Sequence, residues 1–559
     1  MIALLATAFI SLGLVNLDFS RGWWRGQWPR LAIGVPLVAA YVYETLPPLV
    51  FPQALTLLLL TLIPNAALSL AGAFRLTVVS RRIVSLRRRP VWPIVGPPLA
   101  LAAFGGVLLA WPIVDASGLR DLAGALTSDS PAPPADLAHI RIVPEESANF
   151  SGTKVVGQLG AYYRVGAYTI QADGGRLVWV APLDFQGPVQ WLTRGTSPGV
   201  VVVSAENPDA PAELRMRAPL RYVPSALLNA NLARHVYFRY GNEVLLETTL
   251  QLDDAGNPRY VCTLGRPTIG YDGARVTAVA IVDPATGAMV RYARAAFATL
   301  PAWVSRVYPA DLVLAYNDWF GRYVHGWWNA QIARRDVHLP ARNAVYGMLL
   351  ADRRFVWFVD HTSPNASDDS MTGFTYTDSR TGTMTYYTST GGEFNSSAAE
   401  RSVAANSLVR QGRLLPTQPI LYGIFGQNTW VVPVVADNGK YQTLALVQAA
   451  GGHVVVGNPS ATATGSDAFA EYQAFLGDRA LGATGAAARA IAGTLDRYAL
   501  VTGRLYFTLR ERRGVFTMID PADPAALLAR PGDRVRFVAT PDAGGLLLVR
   551  DLRDDTLSR

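Results

Sequence analysis

The chain has 559 residues, of which 50% are hydrophobic and only 16% are charged, and its formal net charge is +8 at pH 7. A chain of this length is too long for one hydrophobic core, so several domains are predicted. Residues 1–115 hold nine Arg against Asp18, Glu44 and Asp115, a net +6 that leaves only +2 for the remainder, and this distribution argues against nucleic acid as a partner.

Four apolar runs predict a transmembrane region in residues 1–114. The runs cover residues 1–17, 31–46, 49–74 and 91–114. The last two reach the roughly 20 residues that cross a bilayer, and the first two are near the lower limit. Run 1–17 has neither a basic n-region nor a small-residue cleavage site, so we do not expect a cleaved signal peptide. Four spans are predicted, and three spans with residues 1–17 peripheral are the alternative.

The arginines between these runs predict the orientation. The segments "RGWWRGQWPR" and "RLTVVSRRIVSLRRRP" are short and strongly basic, and such loops stay in the cytoplasm. We therefore expect an integral protein of the cytoplasmic membrane, with the lipid bilayer as a partner. Its N-terminus and the large C-terminal part after residue 115 would lie outside the cytoplasm. Residues 115–139 are rich in Ser, Pro and Ala and predict a linker.

A hairpin motif recurs in the outer part of the chain. The stretch "AIVDPATGAMVRY" at 280–292 returns as "TYTDSRTGTMTYY" at 375–387, each after an aromatic strand. Two looser copies of the hairpin follow Trp179 and Trp430. The four anchor aromatics are Trp179, Tyr260, Trp357 and Trp430. Val, Thr, Tyr and Trp dominate these runs, as a half-buried sheet favours.

The outer part therefore predicts two kinds of domain. Helical segments at 301–334, 396–411 and 464–476 separate the hairpins, so residues 140–490 are predicted to form repeated α+β modules, antiparallel sheets with packed helices. Residues 495–559 contain four or five short alternating strands and predict a small β-barrel of OB or SH3-like type. Acidic and basic residues are mixed in this barrel, which favours a structural cap. The predicted fold is an α-helical membrane anchor with extracytoplasmic α+β repeats and this barrel.

The repeated hairpin resembles the PepSY-type extracytoplasmic module. The residues that carry the resemblance are "AVAIVDPATGAMVRY" and "GFTYTDSRTGTMTYY", an aromatic strand followed by a hydrophobic-Asp-x-x-Thr-Gly turn. The two looser copies lack the Asp and the Thr. The resemblance implies a module outside the membrane that binds or restrains other proteins, peptidases among them.

No residue set predicts catalysis or metal binding. The turn "DPATG" supplies one carboxylate, whereas a calcium loop needs several, and Asp, Pro and Gly all suit a tight turn. The single cysteine, Cys262, cannot form an internal disulfide, and the six histidines show no HExxH pattern. We therefore expect no catalytic residue, no metal and no cofactor.

Two segments are the predicted contact surfaces. Trp319, Tyr323, Trp327 and Trp328 would share one broad aromatic face of a helix, which suits either the core or a protein or glycan partner. The stretch "DHTSPNASDDS" at 360–370 is the most polar cluster in the chain. The candidates within it are Asp360, His361, Asp368 and Asp369.

These observations predict a membrane-anchored extracytoplasmic binding or scaffold protein of the cell envelope, without catalytic activity. Its partner would be an envelope protein or polymer, and the sequence is compatible with an oligomer. One alternative is an extracytoplasmic hydrolase that assembles Asp360, His361 and Ser370. Another is an accessory subunit of a membrane complex. A transporter or channel role is disfavoured because the spans hold almost no charge beyond Glu44.

Overall fold

The structure is a computed structural model that divides into two compact units, Met1–Thr464 and Gly465–Arg559. The residues it describes are 1–18, 23–79, 82–88, 91–130, 132–217, 219–365, 367–388, 392–458, 466–483, 489–501, 504–519, 528–541 and 547–556.

The first unit begins with the predicted apolar helices. Its elements up to residue 128 are α1 (Ile2–Ser11), α2 (Trp23–Thr45), α3 (Gln53–Ala73), β1 (Phe74–Val79), β2 (Arg82–Arg88), α4 (Trp92–Val114), α5 (Ala116–Leu122) and β3 (Leu126–Ser128). Two of the helices, Gln53–Ala71 and Trp92–Val114, are long and apolar enough to cross a membrane. The arginine-rich segment between α3 and α4 pairs as an antiparallel hairpin of β1 and β2.

Side chains from α2 and α3 close the end of α1. The last carbonyls of a helix lack partners within it, and in an apolar surrounding they need other donors. The amide of Asn65 donates to the carbonyls of Gly13 (2.8 Å) and Val15 (2.6 Å). The guanidinium of Arg30 in turn donates to the Asn65 amide oxygen (2.7 Å) and to the Ser69 hydroxyl (2.6 Å). A buried polar network therefore joins the first three helices.

Four sheet-and-helix units follow. The first of these repeats, residues 140–215, contains α6 (Glu145–Val156), β4 (Tyr163–Val165), β5 (Thr169–Asp173), β6 (Arg176–Phe185), α7 (Pro188–Arg194), β7 (Val200–Ser204) and β8 (Glu213–Arg215). The second, 219–293, contains α8 (Leu232–Tyr240), β9 (Val244–Leu252), β10 (Pro258–Arg266), β11 (Arg275–Val282) and β12 (Met289–Ala293). We call them repeats 1 and 2.

Repeats 3 and 4 complete the series. Repeat 3, 304–388, contains α9 (Ala310–Arg322), α10 (Gly326–Trp328), β13 (Leu339–Pro340), β14 (Tyr346–Leu349), β15 (Phe355–Thr362), β16 (Met371–Asp378) and β17 (Met384–Thr388), with a π-turn at Asn329–Ala333. Repeat 4, 392–456, contains α11 (Ser396–Ala405), α12 (Ser407–Gln411), β18 (Leu415–Pro416), β19 (Ile420–Ile424), β20 (Gln427–Val435), β21 (Tyr441–Gln448) and β22 (Val454–Val456). Short 3₁₀ turns lie at Leu12–Leu14, Leu137–His139, Gly157–Tyr162, Leu228–Ala230 and Arg294–Thr299.

All four repeats have one sheet order. The sequential strands pair antiparallel as β4/β5–β6–β7–β8, β9–β10–β11–β12, β13/β14–β15–β16–β17 and β18/β19–β20–β21–β22. The anchor aromatics occupy the second position in each sheet, on β6, β10, β15 and β20. Antiparallel sheets with packed helices were predicted from the hairpin pattern, and the structure confirms this α+β arrangement.

Three of the four anchors also make equivalent hydrogen bonds. The indole nitrogens of Trp179, Trp357 and Trp430 donate to the backbone carbonyls of Val143 (3.0 Å), Tyr308 (2.9 Å) and Phe394 (2.9 Å), which lie just before the helix of each repeat. In repeat 2 the anchor is Tyr260, whose buried hydroxyl has no hydrogen-bond partner among the described residues. In repeats 1, 3 and 4 the anchor therefore joins the segment before the helix to the sheet.

The Asp-x-x-Thr-Gly turns of repeats 2 and 3 accept hydrogen bonds from the segment that precedes the helix of each repeat. The backbone amide of Tyr308 donates to the Ser379 carbonyl at 2.7 Å, directly after Asp378. Tyr222 makes the equivalent bond to Pro284 at 2.8 Å, directly after Asp283. The two turns therefore have a structural role, because each holds the segment that leads into the helix of its repeat.

The predicted linker 115–139 is in part folded, which corrects the prediction. Asp115 caps α5 by accepting a hydrogen bond from the Gly118 amide at 3.1 Å, and Ala116 and Leu119 are buried. Strand β3 adds to the edge of the repeat 3 sheet, parallel to β17. Burial of this apolar surface outweighs the Ser/Pro/Ala composition that suggested an extended linker.

The second unit contains α13 (Ser466–Ala483) and strands β23 (Arg489–Val501), β24 (Arg504–Leu509), β25 (Arg512–Ile519), β26 (Arg534–Pro541) and β27 (Leu547–Asp554). The strands close into a barrel in the order β23–β24–β25–β27–β26, with β25 and β27 parallel. Phe507, Phe516 and Phe537 pack together in its core. The predicted boundary at residue 490 differs from this one, since α13 belongs to the compact unit that holds the barrel.

Candidate functional site

Asp360 and His361 lie next to each other on β15 and are both buried. Successive side chains of a strand point to opposite faces. The carboxylate of Asp360 accepts a hydrogen bond from the Ser396 amide at 2.7 Å, at the start of α11. Burial raises the pKa of Asp360. Its place at the positive end of a helix indicates a structural contact between repeats 3 and 4.

His361 belongs to a buried network with α9. Its Nε2 lies 2.9 Å from the Asn317 amide oxygen, which also accepts a hydrogen bond from the Thr375 hydroxyl at 2.6 Å. The Asn317 nitrogen donates to the Val313 carbonyl at 2.8 Å. Since the Asn317 oxygen is therefore an acceptor, His361 must carry its proton on Nε2.

The Nδ1 of His361 then accepts a hydrogen bond from the Nδ1–H of a second histidine. The Nδ1 atoms of His338 and His361 are 3.0 Å apart. Burial lowers the pKa of His338 to about 4 and that of His361 well below its ordinary value, and Arg120 lowers the pKa of His338 further. Two neutral imidazoles, His361 fully buried and His338 partly buried, hold α9 against the sheet.

The 363–370 loop is closed by its own hydrogen bonds. The Asp368 carboxylate accepts from the Ser363 hydroxyl at 2.7 Å and from the Ser370 amide at 2.9 Å. Hydrogen bonds from Ser370 and Ser363 hold the pKa of Asp368 below its ordinary value. Asp369 is exposed and forms an ion pair with Arg401. The carboxylates of Asp368 and Asp369 therefore have partners within the protein.

The hydrolase constellation of Asp360, His361 and Ser370 has separate hydrogen-bond partners in the structure. His361 bonds to His338 and Asn317, while the Ser370 hydroxyl donates to Asp368. A nucleophile requires a base within hydrogen-bond reach. Ser370 and His361 have other partners, so this geometry offers no activated serine.

The predicted aromatic helix ends early, which corrects the expectation of one broad face. Helix α9 stops at Arg322, and Gly326 has a φ of +79°, in the left-handed region. Trp319 is half-buried against Tyr316, with ring centroids 5.8 Å apart. Tyr323 and Trp327 are half-buried and Trp328 is exposed. The left-handed backbone at Gly326 therefore separates the two adjacent tryptophans from α9.

A cleft of about 440 Å³ opens where equivalent turns of three repeats meet. The turns are those that precede the anchor strand: 172–175 in repeat 1, 252–254 in repeat 2 and 353–355 in repeat 3. Segment 302–305 and the Asp378 turn complete the wall. A concave site of this size suits a small polar ligand or a short polymer segment.

Arg353 stands in this cleft at a position that is glycine elsewhere. The residue four places before each anchor has positive φ: Gly175 (+77°), Gly256 (+74°), Arg353 (+67°) and Gly426 (+75°). A side chain is strained in this region, and such strain is found at functional sites. The Arg353 guanidinium donates to the Gly175 carbonyl of repeat 1 at 2.5 Å and lies 3.6 Å from Asp136.

The cleft carries both signs of charge beside an indole. Its charged residues are Asp173, Asp253, Asp254, Asp378, Arg353, Arg354 and Arg380, and the indole is that of Trp303. Burial raises the pKa of Asp253, but hydrogen bonds from Asn257 and Arg259 outweigh it and hold the pKa below the ordinary value. Fixed charges and an aromatic surface are suited to reversible binding.

The comparisons with known proteins give no family. No family model matches the chain, and no curated protein matches it. Among solved structures, the chain is similar to a BT0996 RGII complex at 9% identity and a TM-score of 0.19, over 79% of this chain and 95% of that one. It is similar to a cobalt-substituted Synechocystis ACO at 8% identity and a TM-score of 0.13, over 54% of this chain and 48% of that one. At these TM-scores neither likeness carries an argument.

In the part of the chain that the structure describes, no group of three or more His, Cys, Asp or Glu residues could hold a metal ion. The sequence interpretation missed His338, Asn317 and the cleft. A signal for the cleft exists, because aligning the repeats on their anchors places Arg353 in register with three glycines. The histidine pair has no such signal, since its members are 23 residues apart on neighbouring segments.

Proposed function

We propose that this protein is a membrane-anchored, extracytoplasmic binding protein of the cell envelope, and that the cleft between repeats 1, 2 and 3 is its ligand site. The apolar helices would cross the cytoplasmic membrane, and the repeats would lie outside. The partner would be an envelope protein or polymer, as the PepSY-like hairpins suggest.

Contacts between the apolar helices and repeat 2 support the anchoring. Arg234 of α8 donates to the Tyr43 carbonyl at 3.0 Å, and the Tyr237 hydroxyl donates to the Pro47 carbonyl at 2.7 Å. The Leu49 amide donates to the Gly241 carbonyl at 2.7 Å. These bonds join the repeats to the turn between α2 and α3. A rigid attachment of this kind would hold the cleft at a fixed height above the bilayer.

The observation that carries the proposed site is Arg353. Its left-handed backbone is a cost that three equivalent glycines avoid. Residues with strained backbone cluster at binding sites, and here the side chain reaches across the cleft to repeat 1. We infer that the guanidinium is retained to bind an anionic or polar group of the ligand.

The barrel of the second unit is proposed to be an OB-type structural cap. Its strand order, with the third strand parallel to the fifth, supports this type among small barrels. Ion pairs on its surface, such as Arg536 with Asp555 at 2.8 Å, neutralise charge that nucleic-acid binding would need. No ligand is assigned to the barrel.

The test compares Arg353→Gly with Arg413→Gly in the full-length, detergent-solubilised protein. Both arginines have positive φ, and Arg413 does not line the cleft. Replacement by Gly is expected to alter the free energy of unfolding by no more than about 1 kcal/mol in each case. The readout is photo-crosslinking to envelope components from a phenylalanine-based crosslinker placed at Trp303.

Wild type and Arg413→Gly should give the same crosslinked envelope component, and Arg353→Gly should lose at least nine-tenths of it. Equal crosslinking in all three proteins would remove the cleft as the site. Recovery of the wild type alone, monomeric and with hydrolytic activity, would overturn the binding function in favour of the hydrolase. Digestion of the repeats by protease added to intact spheroplasts tests the orientation, and full protection of residues 140–458 would contradict it.

A further inference from the structure

Segment 326–335 presents large apolar side chains to solvent. Trp328 is 71% exposed and Ile332 is 73% exposed. They are four residues apart across one helical turn, so they project on the same side. Trp327 packs edge to face on Trp328, with ring centroids 4.8 Å apart. Two exposed side chains of this size on one short turn indicate a surface that another phase or molecule covers.

Hydrogen bonds within the segment define the conformation of the turn. Asn329 accepts a hydrogen bond from the Arg335 amide at 3.1 Å and donates to the Arg335 carbonyl at 2.8 Å. The Arg334 amide donates to the Asn329 carbonyl at 2.7 Å. A preformed turn loses little conformational entropy when it binds.

The position of the segment points to the bilayer as the covering phase. Helix α10 packs on α5, which starts at Ala116, two residues after the end of α4. In the last turn of α4, Val114 is 75% exposed and Ile113 is exposed as well. If α4 crosses the membrane, lipid must cover these side chains, so the outer boundary of the bilayer lies close to α5.

We propose that segment 326–335 inserts Trp328 and Ile332 into the outer leaflet of the membrane, as a second attachment of the repeats beside the membrane helices. The proposal rests on the membrane anchoring proposed above. Tryptophan favours the interface between hydrocarbon and headgroups, and apolar side chains beside basic ones are typical of segments that lie in it.

The charges of the segment fit a surface of lipid phosphates. Arg334 and Arg335 lie directly after the apolar turn, and the Arg335 side chain is exposed. Asp336 is shared between His325 at 2.9 Å and Arg335 at 3.5 Å. Two arginines against Asp336 leave residues 326–336 with a net charge of +1, which a headgroup phosphate can pair.

The test places an environment-sensitive fluorophore on single cysteines of the full-length protein in nanodiscs. Cys262 is buried, and burial raises its thiol pKa to about 12, so it resists labelling. The variants are Trp328→Cys and Ile332→Cys. Trp111→Cys on α4 is the positive control, and Leu408→Cys on α12, an exposed leucine of repeat 4, is the negative control.

We expect blue-shifted emission at positions 328 and 332, quenched by nitroxide-labelled phosphatidylcholine as strongly as at position 111, with no quenching at 408. Quenching at 111 without quenching at 328 and 332 would overturn the inference and leave the anchoring intact. A blue shift at 328 that lipid does not quench would assign the surface to a second copy of the chain, which also overturns it. Absence of quenching at 111 would overturn the anchoring and this inference together.

Discussion

The imidazoles of His338 and His361 face each other in the core of repeat 3, with their Nδ1 atoms 3.0 Å apart. His338 lies just before β13 and His361 lies on β15, and α9 covers both rings through Asn317 and Phe320. Neither nitrogen of His361 is left for an added proton, because Nε2 donates to Asn317 and Nδ1 accepts from His338. An added proton on His361 must therefore break the network, and one on His338 places a charge in a largely desolvated site beside Arg120.

Acid should destabilise the first unit through this pair. The unfolded histidines bind protons near pH 6.5, whereas burial lowers the pKa of His338 to about 4 in the folded protein. The stabilisation from the neutral pair is therefore complete above about pH 6.5 and is lost as the pH falls. At pH 5, His338 alone should cost about 2 kcal/mol of unfolding free energy. Chemical unfolding of the detergent-solubilised protein at pH 7.5 and pH 5 measures this loss.

A matched pair of variants isolates the cause. His338→Phe keeps a ring against Tyr386, on which His338 is stacked with a centroid distance of 4.9 Å, and should flatten the acid dependence by about half. His325→Gln changes an exposed histidine and should leave the dependence intact. An unchanged slope in His338→Phe would show that other groups cause the acid sensitivity.

The repeat could be predicted from sequence because its signals are local. Each anchor aromatic follows a positive-φ turn by four residues and precedes a second turn on the next strand, so spacing along the chain reports the fold. The buried pair has no local signal. His338 and His361 meet only through the pairing of β13 with β15, and their shared partner Asn317 comes from a helix packed across the sheet.

In the aromatic segment a local pattern was present, but it predicted the wrong structure. The spacing of Trp319, Tyr323 and Trp327 matches a helix face, but α9 ends at Arg322 and Gly326 adds a left-handed turn before Trp327. Gly321 is also required for packing, since a Cβ there would lie 1.9 Å from the His338 carbonyl. Periodicity alone could not report that these glycines serve a bend and a close contact.

Gly382→Ala should be far more destabilising than Gly426→Ala. Both glycines have similar positive φ, +78° and +75°, so the backbone strain of about 1 kcal/mol is shared. A Cβ at Gly382 would lie 2.3 Å from the Tyr308 ring, whereas a Cβ at Gly426 would meet nothing within 4 Å. The clash should add about 1–3 kcal/mol to the Gly382 variant. Thermal unfolding compares the two variants directly.

The contact itself can be tested by a second change. Tyr308→Leu removes the ring that Gly382 faces and should reduce the difference between the two alanine variants. Should Gly382→Ala and Gly426→Ala cost the same, the tyrosine contact at the Asp-x-x-Thr-Gly turn would have no energetic role. The interpretation of that turn as a structural unit of the repeat would then fail.

Tyr237→Phe should weaken the attachment of the repeats to the apolar helices. The buried hydroxyl donates to the Pro47 carbonyl at 2.7 Å, and its loss leaves that carbonyl without this donor, a cost of about 1–2 kcal/mol. Tyr43→Phe is the control, because its bond to Asn229 is long at 3.3 Å and exposed. Limited proteolysis and thermal unfolding in detergent measure the difference. Equal behaviour of the two variants would contradict the role of α8 as the attachment.

Asn65→Leu should separate α1 from its neighbours. The variant removes the two donors to the Gly13 and Val15 carbonyls and the acceptor for Arg30, and hydrogen bonds between helices in an apolar surrounding are worth up to about 2 kcal/mol each. Leu68→Ala, an exposed leucine on the same helix, is the matched control and should have little effect. Crosslinking between cysteines placed on α1 and α3 measures the separation. If Asn65→Leu crosslinks as well as Leu68→Ala, then packing of the apolar side chains alone holds α1, and the polar network is dispensable.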